Sequence, residues 1–203
     1  SLDILQTALV GATSVGSLHP FQTFAAINNR PDAVTRCDGV VFAIEGDDPQ
    51  LSSTLENMVL NLNGTTIRIP PEFRALYHSS AVLSCGHLTS VISAAIRIWE
   101  YIGLPREKAE AAILNMAKST MENIITAGIG TSLTGPIARG DIGTLGKHLD
   151  ALEQSTPHIL NIYCLLELTL LSEVRCNLQS GTAMEIQLLL EHRMSKNDTA
   201  QEY

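Results

Sequence analysis

Gly39-Val40-Val41-Phe42-Ala43-Ile44 is a β-prone run that stops at Glu45-Gly46-Asp47 and passes straight into Asp48-Pro49. A continuous apolar run of this length reads as a buried strand. Aspartate at an N-cap followed by proline at the first helical position is a helix start. That helix is predicted to run to about Leu62, where Asn63-Gly64 closes it. Thr65 to Ile69 reads as a further strand. Strand, helix, strand is one βα unit, so residues 11–69 are expected to form the edge of an α/β sheet. Upstream, the short apolar run Val15 to Leu18 ends in His19-Pro20. Proline forces the residue before it out of helical geometry, which puts His19 in extended backbone at a strand end. Residues 2–10 read as a short helix and residues 28–38 as a polar loop.

Beyond Pro70-Pro71 the pattern changes and no strand is predicted. Helical periodicity covers about 72–101, stopping at Gly103-Leu104-Pro105, then about 106–127. Gly128 to Gly140 reads as a loop. Further helices are predicted from Asp141 to about Glu153, from Pro157 to about Val174, and over 181–193, with a polar tail behind. The fold expected is mainly α. Residues 1–70 form an α/β edge, residues 71–195 an all-helical domain, and residues 196–203 a mobile tail.

Composition narrows the function classes. Hydrophobic residues make up 45% of the 203, enough for a sizeable core, but aromatics only 4%, so that core is Leu, Ile, Val and Ala. Net charge is −8 and no basic run occurs, which argues against nucleic acid as a partner. Cys37, Cys85, Cys164 and Cys176 show no CxxC spacing, so a reducing, cytoplasmic setting is expected. Polar residues break the longest apolar runs before membrane-spanning length, so no membrane is expected as a partner.

Familiar chemical motifs are incomplete. Gly128-Ile129-Gly130 starts a dinucleotide fingerprint, but Leu133 takes the third glycine position and the segment comes after a helix. Gly11 to Gly16 has P-loop spacing with Ser17 where lysine is needed. The six histidines never fall at HxxxH spacing and no GxSxG elbow occurs. What remains is a set of polar residues at structured places. His19 ends a strand, where α/β proteins place their sites, and histidine is suited to proton transfer near neutrality. Tyr77-His78-Ser79-Ser80 is a polar cluster near the domain boundary. For Ser79, Ser80 and His87 the expectation is hydrogen bonding between helices. Leu133-Thr134-Gly135-Pro136-Ile137-Ala138-Arg139-Gly140-Asp141 is a shaped loop feeding a helix N-terminus. Asp141 there either pairs with Arg139 or caps that helix, and as a cap it leaves Arg139 for a partner such as a substrate anion. Thr144 and His148 share one face of the next helix.

Four segments carry a resemblance: SLHPFQTF at 17–24, FAIEGD at 42–47, YHSSAVLSCGHL at 77–88 and LTGPIARGDIGTLGKHL at 133–149. Over about 1–175 they resemble the C-terminal part of Rossmann-like oxidoreductases that carry a helical domain of unknown function. The wider group includes the 6-phosphogluconate dehydrogenase-like, prephenate dehydrogenase-like and pyrroline-5-carboxylate reductase-like enzymes. One departure is Gly86, where the family pattern brings an asparagine; glycine inside a helix costs on the order of 1 kcal/mol relative to alanine.

The resemblance implies an N-terminal domain that grips NAD(P), with this chain corresponding to the part C-terminal to it. That would make it a truncated form, a proteolytic fragment or a gene product that lost its first domain. No cofactor is expected to bind tightly to this chain alone, and no metal. The implied function is the substrate-binding and dimerisation portion of an NAD(P)-dependent oxidoreductase acting on a small polar substrate, as a homodimer. His19 and His78 are the expected catalytic residues. Gln22, Tyr77, Thr134, Arg139, Asp141 and His148 are the expected substrate contacts. The alternative is a non-catalytic helical dimerisation or ligand-binding module built on the apolar Ile159 to Leu171 stretch.

Overall fold

A computed structural model describes residues 14–24 and 30–201, with backbone only for the helix ends 30–32 and 197–201. The helix expected over 2–10 lies outside the described residues. The protein is mainly α with a small α/β edge, and it divides into two compact units, Ser1–Thr89 and Ser90–Tyr203. That division falls beyond Pro70, the point where strands give way to helices. The helix after Pro70 contributes its first turns to the N-terminal unit.

In the N-terminal unit three strands form one sheet in the order β1-β2-β3: β1 Gly16–Pro20, β2 Val41–Gly46 and β3 Thr65–Ile67. β2 and β3 are parallel and joined by α2, Pro49–Asn61, the crossover that the sequence predicts. Both ends of α2 obey the local chemistry. The Asp48 carboxylate accepts from Gln50 N at 2.8 Å and Leu51 N at 3.0 Å. At the other end Asn63 adopts φ 57°. β1 runs antiparallel to β2 with Ser17 opposite Glu45, Leu18 opposite Ile44 and His19 opposite Ala43.

Side chains alternate across a strand, so this register sorts the sheet into two faces. Phe42 and Ile44 turn to a core with Leu55 and Val59 of α2, and Leu18 packs on that side. Ser17, His19, Ala43 and Glu45 turn the other way. Val41 is 38% exposed and Ala43 and Glu45 are half-buried. The run at 39–44 is thus covered on one face within this unit, not on both, because a three-stranded sheet with a single crossover helix supplies one layer. Residues 28–38, expected as loop, contain a short helix α1, Arg30–Thr35, with Pro31 in its first turn.

α3, Arg74–Val82, comes after a 3₁₀ turn at Pro71–Phe73. A π-helical turn over Leu83–His87 joins it to α4, Leu88–Tyr101. Pro71–Tyr101 is long and apolar enough, by length and composition, to cross a membrane. This corrects the sequence expectation. The residues that break the run are mostly uncharged Ser and Thr, which lower hydropathy little. Length and composition alone do not separate lipid contact from protein contact.

The C-terminal unit is helical throughout its described residues. α5 spans Arg106–Ala127 and α6 Ile129–Ser132. α7 spans Pro136–Arg139, α8 Ile142–Ser155, α9 Pro157–Val174 and α10 Thr182–Gln201. The predicted 128–140 loop therefore contains two single-turn helices. The expected tail from 194 continues α10 to Gln201, since its polar residues include good helix formers. Its first part is also tied down. Arg193 pairs with Asp150 at 2.5 Å and Glu153 at 2.6 Å, and Lys196 with Glu153 at 2.5 Å. The core is Leu145 and Leu149 of α8, Leu160 and Cys164 of α9, and Ile186 and Leu190 of α10, each 1% exposed or less. Each buried leucine contributes about 1.5–3 kcal/mol of transfer free energy. α5 is different: of its residues only Ala109 is buried, while Met116 and Ile125 are 72% and 78% exposed.

Candidate functional site

Strand register and the first two turns of α3 build a polar wall in the N-terminal unit. The Tyr77 hydroxyl lies 3.3 Å from His19 Nδ1, and the two rings meet edge to face at 5.7 Å. The His78 ring lies 6.1 Å from that of His19, again edge on, and Phe21 packs against Tyr77 at 5.5 Å. Burial pushes the Tyr77 phenol above its ordinary value, so it stays a neutral hydroxyl over the physiological range. When that hydroxyl donates to Nδ1, the imidazole carries its own proton on Nε2.

Two cavities share this wall. One, of about 380 Å³, is lined by Ser17, His19, Glu45, Arg74, Tyr77 and His78 among others. The second, of about 350 Å³, is lined by His19, Gln22, His78, Ser84 and Cys85 among others. Both volumes suit a small molecule. Of the eight expected site residues, His19, His78, Tyr77 and Gln22 line these two cavities. Gln22 is partly engaged: its amide nitrogen donates to the Arg36 carbonyl at 3.3 Å and its amide oxygen accepts from Thr23 N at 2.8 Å. Ser79 and Ser80 donate to the carbonyls of Leu76 and Tyr77 on their own helix, both at 2.7 Å. They do not bridge to another helix as expected. Cys85 and Gly86 lie in the π turn, a feature often found beside functional sites.

Glu45 and Arg74 are site residues that sequence reasoning passed over. They form an ion pair between β2 and α3, with both side chains about a quarter exposed. The one available signal was an acidic residue at the end of a strand otherwise made of apolar residues.

Thr134, Arg139, Asp141 and His148 belong to the C-terminal unit. There Asp141 is a helix cap. One carboxylate oxygen accepts from Thr144 N at 2.9 Å and the other from the Thr144 hydroxyl at 2.7 Å. Those bonds, the backbone one first, hold its carboxyl below the usual range. Gly140 must be glycine: φ is +66° and an added Cβ would stand 2.9 Å from Thr182 Cγ2. Arg139 and Thr134 are exposed. His148 Nδ1 lies 2.9 Å from the Tyr163 hydroxyl. Behind it, Tyr163 is raised by burial first and then by its hydrogen bond to Glu167. Burial also raises Glu167 and pushes the Cys164 thiol up to about 11.

Among the described residues no group of three or more His, Cys, Asp or Glu is placed to hold a metal. A dinucleotide pyrophosphate does not fit the N-terminus of α2. The first amides of α2 are taken by the Asp48 carboxylate, which would repel phosphate.

The family model of the Domain of unknown function (DUF2520) matches residues 40–169. Two solved structures share the fold. Protein TM1727 from Thermotoga maritima has a TM-score of 0.68 at 23% identity, over 81% of this chain and 64% of that one. The putative NADP oxidoreductase BF3122 from Bacteroides fragilis has a TM-score of 0.64 at 20% identity, over 82% of this chain and 60% of that one. The chain thus spans less than two thirds of the length of either structure. No curated protein matches it.

Proposed function

Because the chain belongs to the family of the Domain of unknown function (DUF2520), we propose that it supplies the substrate-holding part of an NAD(P)-dependent oxidoreductase. The helical part is read as 6-phosphogluconate dehydrogenase C-terminal-like. The observation that carries this reading is the meeting of His19 and His78 between two cavities of small-molecule size, with Tyr77 against His19 in the larger one. The fold it shares with BF3122 supports the same direction. In this reading the dinucleotide is gripped by a preceding domain of the whole protein, since Asp48 closes the N-terminus of α2 to phosphate.

The cofactor supplies hydride chemistry when bound, and the residues here do the rest. Tyr77 orients the His19 imidazole, leaving Nε2 to hold or accept a proton on the substrate. His78 hydrogen-bonds the same ligand from the second side of the wall. The domain division read from the sequence, at about residue 70, marks the hand-over from sheet to helical scaffold. The unpaired state of all four cysteines supports a cytoplasmic setting.

Calorimetry tests the reading. The 203-residue chain is expected to bind NADPH no tighter than millimolar, and a protein extended upstream of Ser1 to bind it at micromolar levels or below. Tight binding of NADPH by the chain as it stands overturns the assignment of the grip to another domain.

A second reading, a dimerisation module, is favoured by the exposed apolar side chains of α5 and α9. Leu114 and Met116 are 52% and 72% exposed, and Leu165 and Leu166 are 53% and 42%. Within Ile159 to Leu171 the alternation is clear: Ile159, Leu160, Cys164 and Leu171 fill the unit's own core, while Ile162, Leu165 and Leu166 face outward. A homodimer that covers these side chains should dissociate in Leu166→Glu by light scattering. A species of unchanged mass defeats it.

A further inference from the structure

The larger histidine-walled cavity holds charges of both signs side by side. Glu45 and Arg74 line it together, in contact with each other and each about a quarter exposed. Arg74 reaches Glu45 through one terminal nitrogen, and a guanidinium carries five donor hydrogens. Glu45 brings two carboxylate oxygens, each able to accept more than one hydrogen bond. The pair can therefore take a ligand without coming apart.

Charge balance decides which ligand. A lone anion beside this pair is attracted by Arg74 and repelled by Glu45 at nearly the same distance. A lone cation meets the reverse. Only a ligand that carries both signs on neighbouring atoms gains from both, closing a square of alternating charge. The remaining walls include the apolar side chains of Ala43 and Ile69, while His19 and His78 offer hydrogen-bonding ring nitrogens from one side. From this we infer that the cavity recognises an α-amino acid with an apolar side chain, its carboxylate on Arg74 and its ammonium on Glu45. The inference rests on the reading of this cavity as the substrate site, and it names the substrate class.

The test titrates the 203-residue chain with three probes of one shape: L-leucine, L-leucinamide, which carries only the positive charge, and 4-methylpentanoate, which carries only the negative one. The readout is the imidazole signals of His19 and His78 in NMR. L-leucine is expected to perturb both and to bind at least tenfold tighter than either analogue. Glu45→Gln is expected to turn the preference towards 4-methylpentanoate, and Arg74→Met towards L-leucinamide. A pair that only ties β2 to α3 would produce no such exchange. If 4-methylpentanoate perturbs the same signals and binds within tenfold of L-leucine in the unaltered chain, the zwitterion assignment falls while the cavity remains a ligand site. If no probe moves either imidazole signal, the assignment and the reading of the cavity fall together. The wild-type series decides the matter even if a variant fails to fold.

Discussion

In the C-terminal unit, leucine and isoleucine from α8, α9 and α10 meet around a common centre and leave almost no exposed atom there. In the N-terminal unit, a three-stranded sheet offers two faces and gives only one of them to Phe42, Ile44, Leu55 and Val59. The other face carries Ser17, His19 and Glu45. Helices that converge on one centre can bury every inward position. A thin sheet must leave a face to something else, and here that face holds the polar groups. The contrast puts the candidate site where packing is incomplete, and it accounts for the plain character of the polar residues in the helical unit. Asp141 caps α8, and Arg193 with Lys196 ties α10 to α8.

The contrast can be broken by experiment. Leu160 is fully buried, and Leu160→Ala should cost about 3–4 kcal/mol in urea unfolding. A cost near 1 kcal/mol would mean that the helical core is looser than its burial implies. Gly140→Ala should cost about 2–3 kcal/mol, because a left-handed backbone and the contact with Thr182 both oppose a methyl group. A neutral result would show that the turn at Gly140 can move away from Thr182 freely.

Glu167 sharpens the comparison from the other side, as a carboxyl that burial raises inside the apolar unit. Its folded value lies above its unfolded one. Its contribution to stability is therefore complete below the unfolded carboxylate range and is lost as pH rises through the folded value. Glu167→Gln should accordingly raise stability near pH 7, by about 1 kcal/mol or less, and flatten the fall in stability as pH rises above the unfolded carboxylate range. Asp141 and Glu153 act with opposite sign: both are lowered, so what they contribute is present above the unfolded carboxylate range and fades as pH falls through their folded values. A Glu167→Gln variant less stable than the parent at pH 7 would contradict the burial argument. The smallest effect is expected at the site itself. Tyr77→Phe removes one long hydrogen bond and should cost about 0.5 kcal/mol, yet shift the His19 ring signals clearly. A large loss of stability there would make the wall part of the core.

Local chemistry made much of this legible in the sequence. Asp48-Pro49, Asn63-Gly64 and Gly140-Asp141 fix where helices begin and end, because caps depend on neighbours along the chain. His19 at a strand end can be deduced from Pro20 alone. The Glu45–Arg74 pair was not legible, since it exists only once β2 and α3 meet, and nothing local announces that meeting. The π turn was hidden for a related reason: Gly86 marks a weak point in the helical run, but the extra residue per turn leaves no compositional mark of its own. Residues 28–38 misled in the opposite sense, because polar composition reads as loop even where a short helix forms.

The pairing of β1 with β2 carries one last consequence. Were β1 to slip by a single residue, Leu18 would turn outward and His19 would be driven among Phe42 and Ile44. No intermediate arrangement keeps the core and discards the imidazole. Folding therefore proofreads the site: any molecule that has sealed its sheet has, by the same act, set the histidine in place.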